Sequence, residues 1–464
     1  MLTAKDSNNL KILRYFVNKY INIIFRIAPT IFSVTIFSLF VIMYIWDRDL
    51  YKFLLNASGI HPYSHPFIDS EFMYSMKKCW EDGVNIYINV PCDGVPGNKM
   101  AYSPIWPRLP ILSSDKAVTV PIAILTDLFL LGSICVLPPA KSVRDLVLIS
   151  LGSISTMVVF AIERNNIDVW IYDILMISVI LIKRKGILNY AGYATAIAAT
   201  LLKYYPIMFF GLLIKEKIHK IALISIILIL SIILFIIGFW PELKIEARNI
   251  PRGSPFGDLV GLENLPRMVA EMLQVMFAWS APAVARTGLA LRVALACLVA
   301  YVAAVRSLRP GLARALEAMP AGDGIWLMFG CLVIGGCYLA GQNVGYRGVY
   351  LLPVVSGFLA LARSAADPAT ATAAHRTALL TVLAMWMEGV RLWLPGIAAV
   401  LPLGSSPVQV VALLAWLGRE AAWIEIEIAM LSIILAWSAQ SPVGRLALGR
   451  LMRRSPPGAA QRRS

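Results

Sequence analysis

Charged side chains are scarce in this chain. Only 15% of its 464 residues are Asp, Glu, Lys or Arg, while 58% are hydrophobic, and the mean hydropathy is +0.71. Soluble proteins carry roughly 25% charged residues, so the composition excludes an ordinary soluble domain. Many windows of about 17 residues or more hold almost no charge, which is the length needed to cross ~30 Å of hydrocarbon. The sequence therefore predicts an all-α polytopic membrane protein.

Histidine and cysteine are also few. The four His and six Cys show no metal-ligand spacing, so the sequence predicts neither a metal site nor a cofactor. Four of the cysteines lie in apolar segments, where we expect them to act as small hydrophobic side chains. Cys79 and Cys92 share one polar loop. These two can pair if that loop faces an oxidising compartment.

Lysine is absent from the second half of the chain. It occurs 16 times up to Lys244 and never afterwards, while arginine occurs 8 times up to Arg248 and 18 times beyond it. Both halves are equally apolar and no internal repeat relates them, so the break does not predict a domain boundary. The net charge of +15 is carried mostly by short loops and tails, which indicates membrane topology and no binding of nucleic acid.

Apolar runs separated by basic loops predict about twelve transmembrane helices in a single domain, 28–440. A basic N-terminus, 1–27, and a basic tail, 441–464, are both predicted to be cytoplasmic. The first span is Ala28 to Trp46, and a large extracytoplasmic loop follows at 47–116. A second outer loop covers 241–280. Further spans are predicted near 117–137, 146–162, 167–182, 221–240, 284–305, 324–341, 346–362, 377–396 and 408–438.

One stretch is too short for the topology around it. The basic loops "KRKG" at 183–186 and "KEKIHK" at 215–220 are both predicted to be cytoplasmic, yet only 28 residues separate them. Two full passes would need about 40 residues. The sequence therefore predicts a short broken helix pair that turns at "LLKYYP", with Lys203 in the wall of a cavity. The alternative is that Lys203 snorkels to the membrane interface.

Two polar motifs carry candidate carboxylates. Asp69 opens a predicted helix, "DSEFMYSMKKCW", where it acts either as an N-cap or as a general base at the membrane surface. The motif "ERNNID" places Glu163, Arg164 and Asp168 near the bilayer boundary. Charges at that depth are functional candidates, and a purely structural pair between Arg164 and Asp168 is the alternative.

A late basic position lies in "GQNVGYRGVYLLP", where Arg347 precedes a predicted span. Arg347 either anchors that span at the interface or joins Lys203 in a two-cation cradle. Such a cradle suits a phosphate, because Arg binds two phosphate oxygens at once and Lys supplies a point charge.

An outer Asp loop continuing to "G-x-N-x-Y" and "Y-S-P", then "ERNNID", "LLKYYP" and "YRGVYLLP", resembles a known family. These pieces are similar to the polyprenol-phosphate-dependent glycosyltransferases of the GT-C superfold, above all glycosyltransferase family 87, which includes mannosyltransferases. The resemblance covers residues 28 to about 362 and implies a GT-C-like bundle. Asn165 departs from the common family form, which has glycine before the Asn of a "G-N-x-D" pattern.

The resemblance implies a reaction and a site. A hexose, with mannose expected, would pass with inversion from a polyprenyl-phosphate sugar donor to a lipid-linked or glycan acceptor. Asp69 would be the general base, while Lys203 and Arg347 would bind the donor phosphate. Residues implied to line the cavity or bind substrate are Tyr87, Tyr102, Glu163, Asn166, Asp168 and Tyr205. The implied setting is the outer face of a bacterial inner membrane, among membrane lipids, without a metal or cofactor.

Three other functions remain open at the level of sequence. Broken helices and intramembrane charges are also typical of transporters and lipid flippases, although these usually show related halves. A polymerase or ligase of lipid-linked glycans would usually carry its large loop late in the chain, whereas here it comes first. A scaffold protein whose site has decayed is the third alternative, left open by Asn165.

Overall fold

The computed structural model describes residues 4–63, 65–94, 98–110, 112, 115–250, 253–254, 259–400 and 405–445. Most of the predicted cytoplasmic tail, 446–464, lies outside these residues, as do 251, 252 and 255–258 of the predicted second outer loop.

The described residues form sixteen α-helices, several short 3₁₀ segments and one two-stranded sheet. The α-helices are α1 Ala4–Trp46, α2 Arg48–Ala57, α3 Ile68–Glu81, α4 Thr119–Ser133, α5 Val143–Ser153, α6 Thr156–Arg164, α7 Ile167–Ile182, α8 Ile187–Leu202, α9 Ile218–Asn249, α10 Asn264–Phe277, α11 Ala281–Ser307, α12 Pro310–Ala318, α13 Ala321–Ala340, α14 Leu351–Ser364, α15 Pro368–Val400 and α16 Ser405–Ala439. The 3₁₀ segments are Pro91–Asp93, Trp106–Arg108, Lys116–Val118, Ile134–Val136, Tyr205–Lys215 and Gly345–Tyr350. The sheet pairs β1 Leu259–Val260 with β2 Asn343–Val344.

Eight helical stretches in the described part are long and apolar enough to cross a membrane. They are Lys19–Trp46, Thr119–Val136, Val143–Arg164, Ile218–Asn249, Ala281–Ser307, Ala321–Ala340, Gly345–Ser364 and Val408–Ala439. Helical spans of this kind satisfy their own backbone hydrogen bonds inside hydrocarbon. The all-α, multi-pass class predicted from composition therefore fits the structure, while the count of about twelve passes stays a prediction.

The helix bounds agree with the apolar runs in some places and differ in others. The predicted span 167–182 coincides with α7, whereas the span 146–162 is divided into α5 and α6 at Ile154 and Ser155. Helix α9 continues past the predicted end at 240 and bends at Phe239, whose φ of −125° is not helical. Pro241 explains the bend, because its ring clashes with the carbonyl one turn earlier.

The short broken pair is present in the described structure. Helix α8 ends at Leu202, Lys203 is extended with φ −156° and ψ 127°, and the 3₁₀ segment Tyr205–Lys215 follows. Pro206 lies in the first turn of that segment, where it has no amide to donate. The chain thus breaks where the sequence predicted, and the break fixes the direction of the Lys203 side chain.

Helices α13 and α14 approach closely around two glycines. A Cβ at Gly330 would lie 3.0 Å from the backbone oxygen of Tyr350, and one at Gly357 would lie 2.8 Å from the Cα of Leu327. Small residues allow helix backbones in membranes to pack at such distances. The packing holds the segment Gly345–Tyr350, which carries Arg347, against α13.

Two tethers fix the loops at the same end of the bundle. A disulfide joins Cys79 at the end of α3 to Cys92, the pairing that the sequence left open. The strands β1 and β2 are antiparallel, with Leu259 opposite Val344, so part of the predicted loop 241–280 is bound to the chain just before Arg347.

Candidate functional site

Asp69 lies in the first turn of α3, and its carboxylate faces away from that helix. The residue that caps α3 is Phe67, which has a φ of 65° and provides no side-chain hydrogen bond. Asp69 Oδ2 accepts hydrogen bonds from Arg164 Nε at 2.8 Å and from Asn166 Nδ2 at 2.6 Å. Arg164 Nη2 donates to Asp69 Oδ1 as well. The interpretation of Asp69 as an N-cap is therefore wrong, because Arg164 and Asn166 hold its carboxylate instead.

Arg164 and Asp168 do not pair with each other, so that predicted structural pair is also wrong. The reason is the turn between them. Helix α6 ends at Arg164, and α7 starts after Asn166, whose side chain caps it by accepting from the amide of Asp168. The two charges thus lie on different helices and are not neighbours one turn apart on a single helix.

Asn165 occupies the left-handed conformation at this turn, with φ 42° and ψ 52°. Glycine adopts this conformation readily, and Asn is among the few other residues that do. The Asn165 amide donates to Asp127 Oδ1 and Thr126 Oγ1, both at 2.8 Å, and its oxygen accepts from Ser70 Oγ at 2.5 Å and Trp170 Nε1 at 3.0 Å. The departure from glycine thus keeps the turn and ties α3, α4 and α7 together.

Asp168 lies in the first turn of α7 and receives both predicted cations. Lys203 Nζ is 2.8 Å and Arg347 Nε 3.4 Å from the same oxygen, Asp168 Oδ2. The Asp168 side chain is fully buried, while those of Lys203 and Arg347 are 12% and 19% exposed. A buried ion pair explains the position of Lys203 without snorkelling. Two cations against one carboxylate leave this trio with one net positive charge.

Aromatic rings surround the two cations. Lys203 Nζ lies 5.2 Å from the ring centroid of Tyr102, and Arg347 Cζ lies 4.7 Å from that of Tyr205. Both distances are in the range of cation–π attraction. The Tyr205 and Tyr350 hydroxyls share a hydrogen bond of 2.7 Å, which fixes the Tyr205 ring. These contacts bring segments 102–109, 201–206 and 345–350 together around one ion cluster.

Tyr102 connects the Asp69 and Asp168 parts of the site. Burial raises the pKa of the Tyr102 phenol above its ordinary value, and the negative charges of Asp69 and Asp168 add to the rise. Both carboxylates therefore lie within electrostatic range of this hydroxyl. The Tyr102 phenol stays neutral at any ordinary pH and can donate or accept a hydrogen bond.

Two residues implied by the resemblance lie outside this cluster. Tyr87 lines a separate cavity of about 380 Å³ with Arg108 and Glu242, and its backbone oxygen accepts from Asn249 Nδ2 at 2.8 Å. Glu163 is buried near the end of α6 and lines an apolar groove whose lining does not include Asp168. The remaining candidates meet around Asp69 and Asp168.

Sequence reasoning missed the residues that support the cations. Asn343 Oδ1 accepts from Arg347 Nη1, while Asn343 Nδ2 donates to the backbone oxygens of Cys337 at 2.7 Å and Gly341 at 2.8 Å. Its place in "GQNVGYRG", four residues before Arg347, was the available signal. Tyr350, in the same motif, is fully buried, and its hydroxyl shares a hydrogen bond with that of Tyr205.

Comparisons of the chain with protein-family models, with curated proteins and with solved structures find no match. The resemblance to the GT-C glycosyltransferases stays a prediction, and the site is interpreted from its own geometry.

Proposed function

We propose that the chain is a membrane glycosyltransferase that moves a hexose, with mannose expected, from a polyprenyl-phosphate sugar to a lipid-linked or glycan acceptor. One observation carries this proposal. Asp69, a carboxylate that is paired with Arg164 and 15% exposed, adjoins the buried trio of Asp168, Lys203 and Arg347, which carries a net positive charge. Tyr102 lies within electrostatic range of both Asp69 and Asp168. General base and phosphate site are the two parts that such a transfer needs.

Asp69 suits the role of general base. Its Oδ2 accepts two hydrogen bonds and its Oδ1 accepts one, so among the described contacts one acceptor position on Oδ1 is open. The side chain is 15% exposed, which allows a hydroxyl to reach it. Bidentate pairing with Arg164 fixes the orientation of the carboxylate. In the proposed step the acceptor hydroxyl gives its proton to Asp69 as its oxygen bonds to the anomeric carbon.

The trio of Lys203, Arg347 and Asp168 suits the leaving phosphate. The bond between the anomeric carbon and the phosphate oxygen breaks, and its electron pair leaves with the phosphate, which gains one negative charge. Lys203 and Arg347 would stabilise that charge in a site largely closed to water. Asp168 offsets one of the two cations, so the net charge of the trio matches the single charge of a sugar phosphodiester. Attack from the Asp69 side and departure on the Lys203 side predict inversion at the anomeric carbon.

The Cys79–Cys92 disulfide supports an extracytoplasmic site, because disulfides persist in oxidising compartments. It lies in the same loop as Asp69, which agrees with the predicted outer loop 47–116. A GT-C-like bundle of about twelve passes in a bacterial inner membrane belongs to the same proposal. Tyr205 would border the phosphate, and Asn166 would orient Asp69.

The test is transfer by the purified protein in nanodiscs, given a radiolabelled polyprenyl-phosphate mannose and a membrane lipid extract. Asp69→Asn should lower transfer by at least about a hundredfold, the typical contribution of a general base. Lys203→Met should lower it comparably, because the leaving charge loses a cation. Matched controls are Asp82→Asn and Lys78→Met, exposed residues at the other end of α3 that should retain full transfer. Normal transfer by both site variants would overturn the proposal.

A transporter is the second candidate, and one observation favours it. Asp127 on α4 and Asp173 on α7 are buried carboxylates within the bundle, and Glu427 on α16 is a third. Carboxylates inside spans are typical of proton-coupled carriers. Movement of the labelled lipid across vesicle bilayers, without any covalent transfer of sugar, would support this candidate against the first.

A further inference from the structure

An apolar groove of about 370 Å³ runs beside α1, and its lining residues include none of Asp168, Lys203 and Arg347. Its walls come from α1, α2, α4 and the α5–α6 pair, and the loop at His65 to Phe67 closes one end. The residues along α1 are Ser33, Ile36, Phe37, Phe40, Val41, Tyr44 and Ile45. Such a lining attracts a hydrocarbon chain and offers few partners to a polar ligand.

The length of the groove fits one lipid chain in one leaflet. Ser33 and Ile45 are twelve positions apart on a continuous helix, which corresponds to ~18 Å at 1.5 Å per residue. One hydrocarbon leaflet is about half of the ~30 Å core. The groove therefore has the reach of a single apolar chain that enters from the bilayer.

Glu163 marks the polar end of this groove. The residue is only 4% exposed, and neither carboxylate oxygen forms a hydrogen bond with any residue that the structure describes. Leaving a buried carboxylate without a hydrogen-bond donor is costly. A hydroxyl on a ligand would remove that cost, because it can both donate to and accept from the carboxyl group, whereas a phosphodiester has no proton to donate.

The polar end also adjoins the proposed base. The Glu163 carbonyl accepts from the amide of Phe67 at 2.6 Å, two residues before Asp69. The residue after Glu163 is Arg164, which pairs with Asp69. A head group held at Glu163 is thus next to the Asp69 carboxylate and separate from the Lys203 and Arg347 cations.

We infer that this groove binds the acceptor of the transfer, a lipid with one apolar chain in the groove and a hydroxyl-bearing head at Glu163. The role of this lipid as acceptor rests on the proposed function, since a glycosyl transfer needs a hydroxyl nucleophile beside its base. The phosphate-bearing donor occupies the other side of Asp69. The two lipids are then sorted by charge, the anion toward Lys203 and the neutral hydroxyl toward Glu163.

The test uses two photoactivatable probes with the same octadecyl chain and diazirine, one ending in a hydroxyl and one in a phosphate. Each is incorporated into phosphatidylcholine nanodiscs that hold the full chain, and labelled residues are located by mass spectrometry. The alcohol should label α1 and α4 positions of the groove at least about fivefold more than the phosphate. Equal labelling of these positions by both probes would overturn the inference.

Variants separate the role of Glu163 from a general effect on the membrane domain. Glu163→Gln should lower labelling by the alcohol about fivefold, because the amide offers one acceptor oxygen where the carboxyl group offers two. The matched control is Glu427→Gln on α16, which removes another buried carboxylate without a hydrogen-bond partner among the described residues and should leave labelling unchanged. Equal labelling by these two variants would count against the assignment. Phe40→Trp fills the groove and should lower labelling even if Glu163→Gln fails to fold.

The two proposals fail separately. If the alcohol does not label the groove but transfer is lost in Asp69→Asn, the acceptor site is wrong and the glycosyltransferase stands. If the alcohol labels the groove as expected but no sugar is transferred, the lipid site stands and its interpretation as an acceptor site is wrong.

Discussion

Replacing Asp168 by Asn tests whether one buried carboxylate holds two cations in place. The substitution keeps the size of the side chain and removes its charge, so Lys203 and Arg347 are left facing each other. Removing one partner from a buried ion pair typically costs about 3–5 kcal/mol. Asp168 is fully buried and both cations contact the same oxygen, so we expect a loss in unfolding free energy near the upper limit.

A double-mutant cycle isolates the contact itself. Lys203→Met removes the ammonium while Arg347 still neutralises Asp168. The variant carrying both Asp168→Asn and Lys203→Met removes one charge of each sign. Its loss should therefore be smaller than the sum of the single losses by about 0.5–3 kcal/mol, the range for residues in one ion-pair network. The measurement is reversible unfolding in mixed micelles with increasing dodecyl sulfate, followed by circular dichroism.

Asp145 provides the control for this cycle. It is 2% exposed and pairs with Arg363 at 2.5 Å, and it shares no partner with Lys203. Asp145→Asn and Lys203→Met should thus add within about 0.5 kcal/mol. If the coupling of Lys203 to Asp168 is no larger than its coupling to Asp145, the ion cluster does not stabilise the fold as we infer.

Three further predictions concern the loops around the site. Asn165→Ala should lower the unfolding free energy by about 2–4 kcal/mol, and Asn165→Gly should lower it by about 1 kcal/mol less. The reason is that alanine is strained in the left-handed backbone conformation of this position, whereas glycine is not. Equal losses would contradict this. Since burial raises the pKa of Tyr102, its phenol should remain protonated at pH ~10, where exposed tyrosines ionise. A Tyr102→Phe variant should then match the parent in absorbance titration, and the loss of one ionising tyrosine near that pH would refute it. Cys92→Ser should lower stability by about 3 kcal/mol, as expected for opening a disulfide that closes a short loop of sequence separation 13, and unfolding under reducing conditions should abolish the difference.

Local features of the fold were predictable because their causes are local. The bounds of α7 follow from an apolar run with Asn166 as its cap, and the break at Lys203 follows from Pro206 and the short distance between two basic loops. The apolar run at 221–240 does not predict the bend at Phe239, because its cause is Pro241, one residue beyond that run.

The partners within the site could not be predicted, because they depend on how distant segments pack. Arg164 meets Asp69 across 95 positions in the chain, and Arg347 meets Asp168 across 179. The sequence identifies the candidate cations and carboxylates as residues, but their spacing leaves a pair between Arg164 and Asp168 as an open alternative. Only the reversal of the chain at Asn165 sends these two side chains to different partners.

The trio at Asp168 spans the point where the sequence changes its basic residue. Lys203 belongs to the half that uses lysine, and Arg347 to the half that uses arginine alone. Through these two ion pairs, Asp168 thus connects two parts of one polypeptide that differ in composition. A nascent chain that has passed residue 203 already holds Asp168 and Lys203, and their charges cancel. Only synthesis of the second half adds Arg347 and the surplus charge, so the site becomes cationic after six of the eight candidate spans in the described part have been made.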